Sequence, residues 1–119
     1  MIKRVYADAN GETHLTELVG PAFRDIPATT VDLPTRRREP GDRVPKQDFH
    51  PAPRRQLVVP MRGAFEIITT TGEKGRFGPG DILFADDVGT KGHTFEDVGD
   101  EPMSGLIVGI DPTWEAPAP

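Results

Sequence analysis

Ala64-Phe65-Glu66-Ile67-Ile68-Thr69-Thr70 is the stretch that decides the fold. Phe65 and Ile67 alternate with Glu66 and Ile68, and the run is rich in β-branched residues. That pattern predicts a half-buried strand. Downstream the same grammar repeats. Thr71-Gly72-Glu73-Lys74-Gly75 reads as a turn, and Arg76-Phe77 leads into a second turn at Gly78-Pro79-Gly80-Asp81. Ile82-Leu83-Phe84-Ala85 is a strand, Asp86 to Gly92 a loop, and His93 to Val98 another strand. A turn at Gly99-Asp100 and an apolar strand from Ser104 to Ile110 follow. Upstream, Gln56-Leu57-Val58-Val59 is a strand ended by Gly63, with Pro60 marking a bulge or a sheet edge. Asn10-Gly11 predicts a two-residue hairpin turn between Lys3–Tyr6 and Thr13–Leu18.

The chain has 119 residues, 13 Pro and 13 Gly. Proline breaks helix interiors, so long helices, bundles and coiled coils are not expected. Seven to nine short strands at roughly 8–12-residue spacing predict an all-β sandwich or barrel. Residues 19–55 hold seven prolines and read as irregular, with short extended pieces such as Thr30-Val31-Asp32-Leu33. Residues 1–111 are expected to form one domain, and 112–119 a Pro-rich tail free to move.

With no Cys there is no disulfide and no thiolate chemistry. No apolar run reaches the ~20 residues of a membrane span, and no signal-peptide pattern follows Met1. The expectation is a cytoplasmic protein. A net charge of −5 argues against nucleic-acid binding. Basic residues nevertheless gather from Arg36 to Arg62: Arg36, Arg37, Arg38, Arg43, Lys46, Arg54, Arg55 and Arg62, against Glu39, Asp42 and Asp48. Such a window suits a small anionic ligand, or is a solvated loop.

Each of the three histidines can be weighed. His14 lies in the first hairpin and reads as structural or exposed. His50 opens His50-Pro51-Ala52-Pro53-Arg54-Arg55-Gln56, which its prolines hold extended. Alternate side chains of an extended chain share a face, so His50, Ala52, Arg54 and Gln56 would point one way. An imidazole, a guanidinium and an amide on one face suit a pocket wall. If the prolines twist the parity, Arg54 faces solvent instead. His93 follows Gly89 and Gly92, which let backbones approach closely, and is placed to reach inward. Asp86-Asp87 either orients His93 or serves as turn chemistry.

These residues resemble the cupin family. Its first motif has two His one residue apart, then a Glu, then a Gly; His50, Ala52, Gln56 and Gly63 match that spacing. Its second motif is Gly-Asp, a strand, a Gly/Pro loop and a His; Gly80-Asp81, Gly89, Gly92 and His93 match with a longer loop. The resemblance covers residues 49–98. It implies an antiparallel jelly-roll β-barrel and a homodimer, to which the hairpin at 3–18 contributes by crossing to a neighbour. It also implies a possible divalent metal (Fe, Ni, Zn or Mn) at His50, Gln56 and His93, with a metal-free pocket equally compatible. Ala52 and Gln56 replace a family His and Glu, so the set holds two imidazoles and one neutral amide. The expected activity is proton transfer of isomerase, lyase or cyclase type on a small anionic oxygenated molecule. His50 and His93 would be acid and base, Arg54 the anion holder, and Gln56 and Asp86 further substrate contacts. The alternatives are a non-catalytic domain that binds a sugar or small metabolite, and a purely structural dimer module.

Overall fold

The computed structural model describes residues 1–19, 25–32 and 46–116. Arg36, Arg37, Arg38 and Arg43 of the basic window lie outside the described residues, as does Leu33. The described chain is all-β. Its strands are β1 (Ile2–Ala7), β2 (Thr13–Glu17), β3 (Ala28–Asp32), β4 (Gln47–His50), β5 (Gln56–Arg62), β6 (Ala64–Ile68), β7 (Lys74–Phe77), β8 (Ile82–Asp86), β9 (His93–Val98) and β10 (Ser104–Ile110). They form a six-stranded sheet in the order β2-β1-β8-β5-β10-β3 and a four-stranded sheet in the order β4-β9-β6-β7. β1 and β8 run parallel, a departure from the expected all-antiparallel pattern. A parallel pair needs a long connection, and six strands lie between these two in the chain.

The decisive stretch forms β6. Phe65 and Ile67 are fully buried, and Phe65 stacks on Phe77 and Phe95 with centroids 5.1 Å and 4.9 Å apart. From the six-stranded sheet, Val5, Val58, Leu83 and Ala85 meet them, so the main core lies between the sheets. Burying one such Phe stabilises by roughly 1.5–3 kcal/mol. On the other face of the six-stranded sheet a second cluster joins Leu18, Phe84 and Ile110, with Trp114 packed against it. The side chains of β8 therefore divide by parity: Leu83 and Ala85 face in, Phe84 faces out.

The outer cluster changes the picture of the tail. Trp114 stacks on Phe84 with centroids 5.9 Å apart. Arg55 Nη1 donates to the carbonyls of Asp111 (2.9 Å) and Trp114 (2.6 Å). The start of the tail is thus bound to the sheet.

The first turn also differs from the prediction. Asp8 N–H donates to Glu12 O (2.9 Å) and Gly11 N–H to Asp8 O (3.0 Å), with Gly11 at φ +80°. This is a three-residue loop, a turn followed by a left-handed glycine. Asp8 decides it, because its Oδ1 takes the Asn10 and Glu12 N–H groups. Pro60 does sit at a bulge. The β5–β10 register shifts between Ser104 and Gly105, and β8 pairs only with Gln56, Leu57 and Val58, so no ladder bond to β8 is lost. β1 is paired on both sides within its own chain, leaving the hairpin only the outer edge of β2 to offer a second copy. Among the described residues no helix is long and apolar enough to cross a membrane.

Candidate functional site

Two chain crossings between the sheets build the site. Residues 51–55 carry the chain from β4 to β5, and residues 87–92 carry it from β8 to β9. β4 pairs with β9 so that His50 stands opposite His93. Their ring centroids are 5.4 Å apart at an interplanar angle of 41°. Gly92 makes this approach possible: at φ +80° it lies so close to His50 that a Cβ would overlap the His50 carbonyl group.

His93 is 5% exposed and Asp87 0%. His93 Nδ1 lies 2.5 Å from Asp87 Oδ2, and Ala52 N–H donates to Asp87 Oδ1 at 3.1 Å. Both carboxylate oxygens accept, so Nδ1 of His93 donates, and in the neutral ring Nε2 keeps its lone pair. His50 Nδ1 lies 2.9 Å from Asp48 O. A carbonyl only accepts, so this ring too donates from Nδ1 and, when neutral, keeps a lone pair on Nε2.

A cavity of about 190 Å³ opens between the sheets beside these rings. Its polar lining comes from Gln47, His50, Gln56 and His93; its apolar lining includes Val58, Leu83, Phe95, Met103 and Ile107. Among the described lining residues none carries a formal charge in the neutral-imidazole state. The expected trio of His50, Gln56 and His93 is therefore brought together, with Ala52 beside them.

Arg54 and Asp86 do not line this cavity. Arg54 lies beside Gln56, with Nε 3.4 Å from Gln56 Oε1, Nη1 3.1 Å from Thr30 Oγ1, and an ion pair to Asp32. Gly109 makes the room: a Cβ there would come within 2.6 Å of Thr30 Oγ1 and 3.2 Å of Arg54 Nη1. Asp86 belongs to the outer face. It accepts from Arg4 Nη2 at 2.7 Å and Arg55 Nε at 2.7 Å. The group that touches His93 is Asp87. The signal was present, since Leu83, Ala85 and Asp87 share one parity of β8 and Asp86 has the other. Gln47 and Phe95, which also line the cavity, carried no motif.

His14 is remote from this site. It stacks on Tyr6 with centroids 5.5 Å apart and bonds Asp8 Oδ2 through Nε2 at 2.9 Å. That hydrogen bond, with the charges of Asp8 and Glu73, raises the His14 pKa above its ordinary value. The same bond leads the causes that lower Asp8.

The donor set for a metal is short. A catalytic zinc site uses three protein ligands. Here two imidazole Nε2 atoms are available, while Gln56 Oε1 already accepts from Arg54. Among the described residues no group of three or more His, Asp or Glu is placed to hold an ion. The committed Nδ1 atoms do match how metal-bound imidazoles are oriented. Compared with protein-family models, curated proteins and solved structures, the chain matches none of them.

Proposed function

We propose that this chain is a jelly-roll domain of the cupin type that catalyses proton transfer on a small oxygenated molecule held between its sheets. The observation that carries the reading is the buried Asp87–His93 pair at 2.5 Å, with His93 on the cavity wall opposite His50. Asp87 fixes the tautomer of His93 and stabilises the imidazolium formed when Nε2 takes a proton. In a substrate with a C–H next to a carbonyl, that C–H breaks, a proton passes to His93 Nε2, and the electron pair moves onto the carbonyl oxygen. In this reading the Gln56 NH₂ group, on the cavity wall, bonds the resulting enolate. In an α-hydroxyketone the enolate oxygen takes up a proton to give an enediol; loss of the other hydroxyl's proton and return of the proton from His93 to the former carbonyl carbon then give isomerisation, whereas departure of a leaving group from the β carbon gives elimination. Arg54 as anion holder is not part of this reading, because Arg54 does not line the cavity and three of its five N–H groups already bond Gln56, Thr30 and Asp32.

The test uses 2-hydroxycyclohexanone in D₂O, with α-proton exchange followed by NMR. General base catalysis contributes about 10²–10⁴-fold. The expected result is exchange accelerated by the protein and reduced at least 100-fold in His93→Gln. Equal exchange by the two proteins would remove the proposal.

A second reading has one observation in its favour: both Nδ1 atoms are committed, leaving two Nε2 atoms for a divalent ion. His50 and His93 would hold it, with Gln56 as third ligand once released from Arg54. Such an ion supplies a Lewis acid for a carbonyl oxygen. Added Ni²⁺, Zn²⁺, Fe²⁺ or Mn²⁺ should then raise the melting temperature, and His50→Gln should abolish the rise.

A further inference from the structure

The hydrogen-bonding inventory of the cavity says what kind of molecule fits it, given the proton-transfer reading on which this inference rests. His50 Nδ1–H is spent on the Asp48 carbonyl and His93 Nδ1–H on the Asp87 carboxylate. Each neutral ring therefore turns a lone pair, not a donor, to a ligand. Gln56 is fixed in the opposite sense. Arg54 has only donors, so the Gln56 atom 3.4 Å from Arg54 Nε is the carbonyl oxygen, and the Gln56 NH₂ group remains free to donate. The site thus offers acceptors on two rings 5.4 Å apart and the Gln56 NH₂ group as a donor, with the Gln47 amide, able to donate or accept, elsewhere on the lining.

Charge and size narrow the choice. The described lining contains no Lys, Arg, Asp or Glu. A charged group inside it would be desolvated without a partner, which is costly. An apolar cavity of about 150 Å³ takes benzene. One of about 190 Å³ takes a six-membered ring bearing two oxygens. The aliphatic side of the lining, with Val58, Leu83 and Ile107, suits the ring carbons.

We infer that the cavity binds a neutral cyclic molecule with adjacent oxygens: a vicinal diol gives one hydroxyl hydrogen to His50 Nε2 and one to His93 Nε2, a hydroxyketone gives its single hydroxyl hydrogen to His50 Nε2 and turns its C–H to His93 Nε2, and an oxygen of either accepts from Gln56. An anionic substrate of the same size is disfavoured at this site. A pocket built to bond a hydroxyl rejects the analogue that lacks it, because its own buried polar atoms are left unpaired.

Three probes share one ring: cis-1,2-cyclohexanediol, 1,2-dimethoxycyclohexane and cyclohexanecarboxylate. Each is titrated into the intact protein while the imidazole ¹⁵N signals are followed. The diol should shift the signals of both His50 and His93 and bind at least tenfold tighter than the ether or the carboxylate. His50→Leu should erase that preference, and so should Gln56→Met if the first variant fails to fold. Folding of each is checked by the fluorescence of Trp114. An ether that binds as well as the diol overturns the inference, and so does the absence of binding by all three. A carboxylate that binds tightest, and loses its binding in Arg54→Gln, also overturns it while leaving the His93-centred chemistry in place. Failure of that chemistry shows separately, as deuterium exchange that His93→Gln does not alter.

Discussion

Asp87→Asn is the most informative change, because the amide keeps the shape of the carboxylate and alters one proton. Asp87 is fully buried and uses both oxygens, one for Ala52 N–H and one for His93 Nδ1. In the variant Oδ1 still accepts from Ala52. The other position becomes an NH₂ group facing His93 Nδ1. A donor cannot face a donor, so the ring must move its proton to Nε2 and accept at Nδ1. The lone pair then points at the new amide instead of the cavity. The free-energy change is the difference between a charge-assisted and a neutral hydrogen bond, about 1–1.5 kcal/mol. For a domain of this size that lowers the melting temperature by about 5 °C. Long-range ¹H–¹⁵N spectra of the imidazoles read the tautomer directly: Nδ1–H in the parent protein, Nε2–H in the variant. Exchange of 2-hydroxycyclohexanone should fall with it, by up to about 10⁴-fold. An Asp87→Asn protein that keeps Nδ1–H on His93, or keeps full exchange activity, would refute the dyad. Asp87→Ala serves as a stability control. It strands the Ala52 and His93 N–H groups in the interior and should cost about 2–6 kcal/mol.

Three other outcomes follow from the same structure. Gly92→Ala places a Cβ onto the His50 carbonyl at a φ of +80°, so it should destabilise by about 2–5 kcal/mol and separate the two imidazoles; a melting temperature within about 2 °C of the parent would contradict this. Arg55→Met removes the bonds to Asp86, Asp111 and Trp114, costing about 2–4 kcal/mol; the emission of Trp114, the single Trp, should shift to longer wavelength, and an unchanged spectrum would refute the latch. For pH, the raised pKa of His14 means that its bond to Asp8 stabilises fully below the ordinary His value and is lost as pH rises through the folded value. Thermal melts should therefore show a small decline from about pH 6.5 upward that His14→Gln removes; an identical pH profile in the variant would exclude this contribution.

Strand existence was legible wherever local residues decide it. Phe65/Ile67 alternation, the Gly78-Pro79-Gly80-Asp81 turn and the Pro60 bulge all appear where the chain placed them. β4 was not legible, because Gln47-Asp48-Phe49-His50 is polar and exposed and becomes a strand only by pairing with β9. The meeting of His50 with His93 was legible in part. Their sequence contexts suggested a shared interior, but the register that sets them opposite each other is tertiary. Arg54 shows the limit of parity reasoning. It does lie beside Gln56, as an extended chain requires, yet Asp32 and Thr30, from a strand at the sheet edge, take its donors. No local pattern could have announced that partner. The tail misled for the same reason: its binding depends on Arg55 and Phe84, far away in the chain.

The site and the fold share a residue, and that has consequences for both. Asp87 follows β8 of the six-stranded sheet directly, His93 begins β9 of the four-stranded sheet, and Ala52 lies on the other crossing between the sheets. One carboxylate on the second crossing therefore ties the first crossing, through Ala52 N–H at 3.1 Å, and the start of β9, through His93 Nδ1 at 2.5 Å. A structural tie alone would be served nearly as well by a neutral amide of the same shape. A carboxylate there adds a negative charge against the inner nitrogen of an imidazole whose outer nitrogen borders an uncharged cavity. That charge is useful when the imidazole must become a cation during a reaction. Because the same group holds the crossings together, substitutions that abolish proton transfer here should also loosen the sheets. The measurable signature is coupling: among changes at Asp87, His93 and Ala52, lost exchange activity and lowered melting temperature should move together, whereas changes at Arg54 should move neither by much. A His93 variant with full stability and no activity would break that link and separate the chemistry from the architecture.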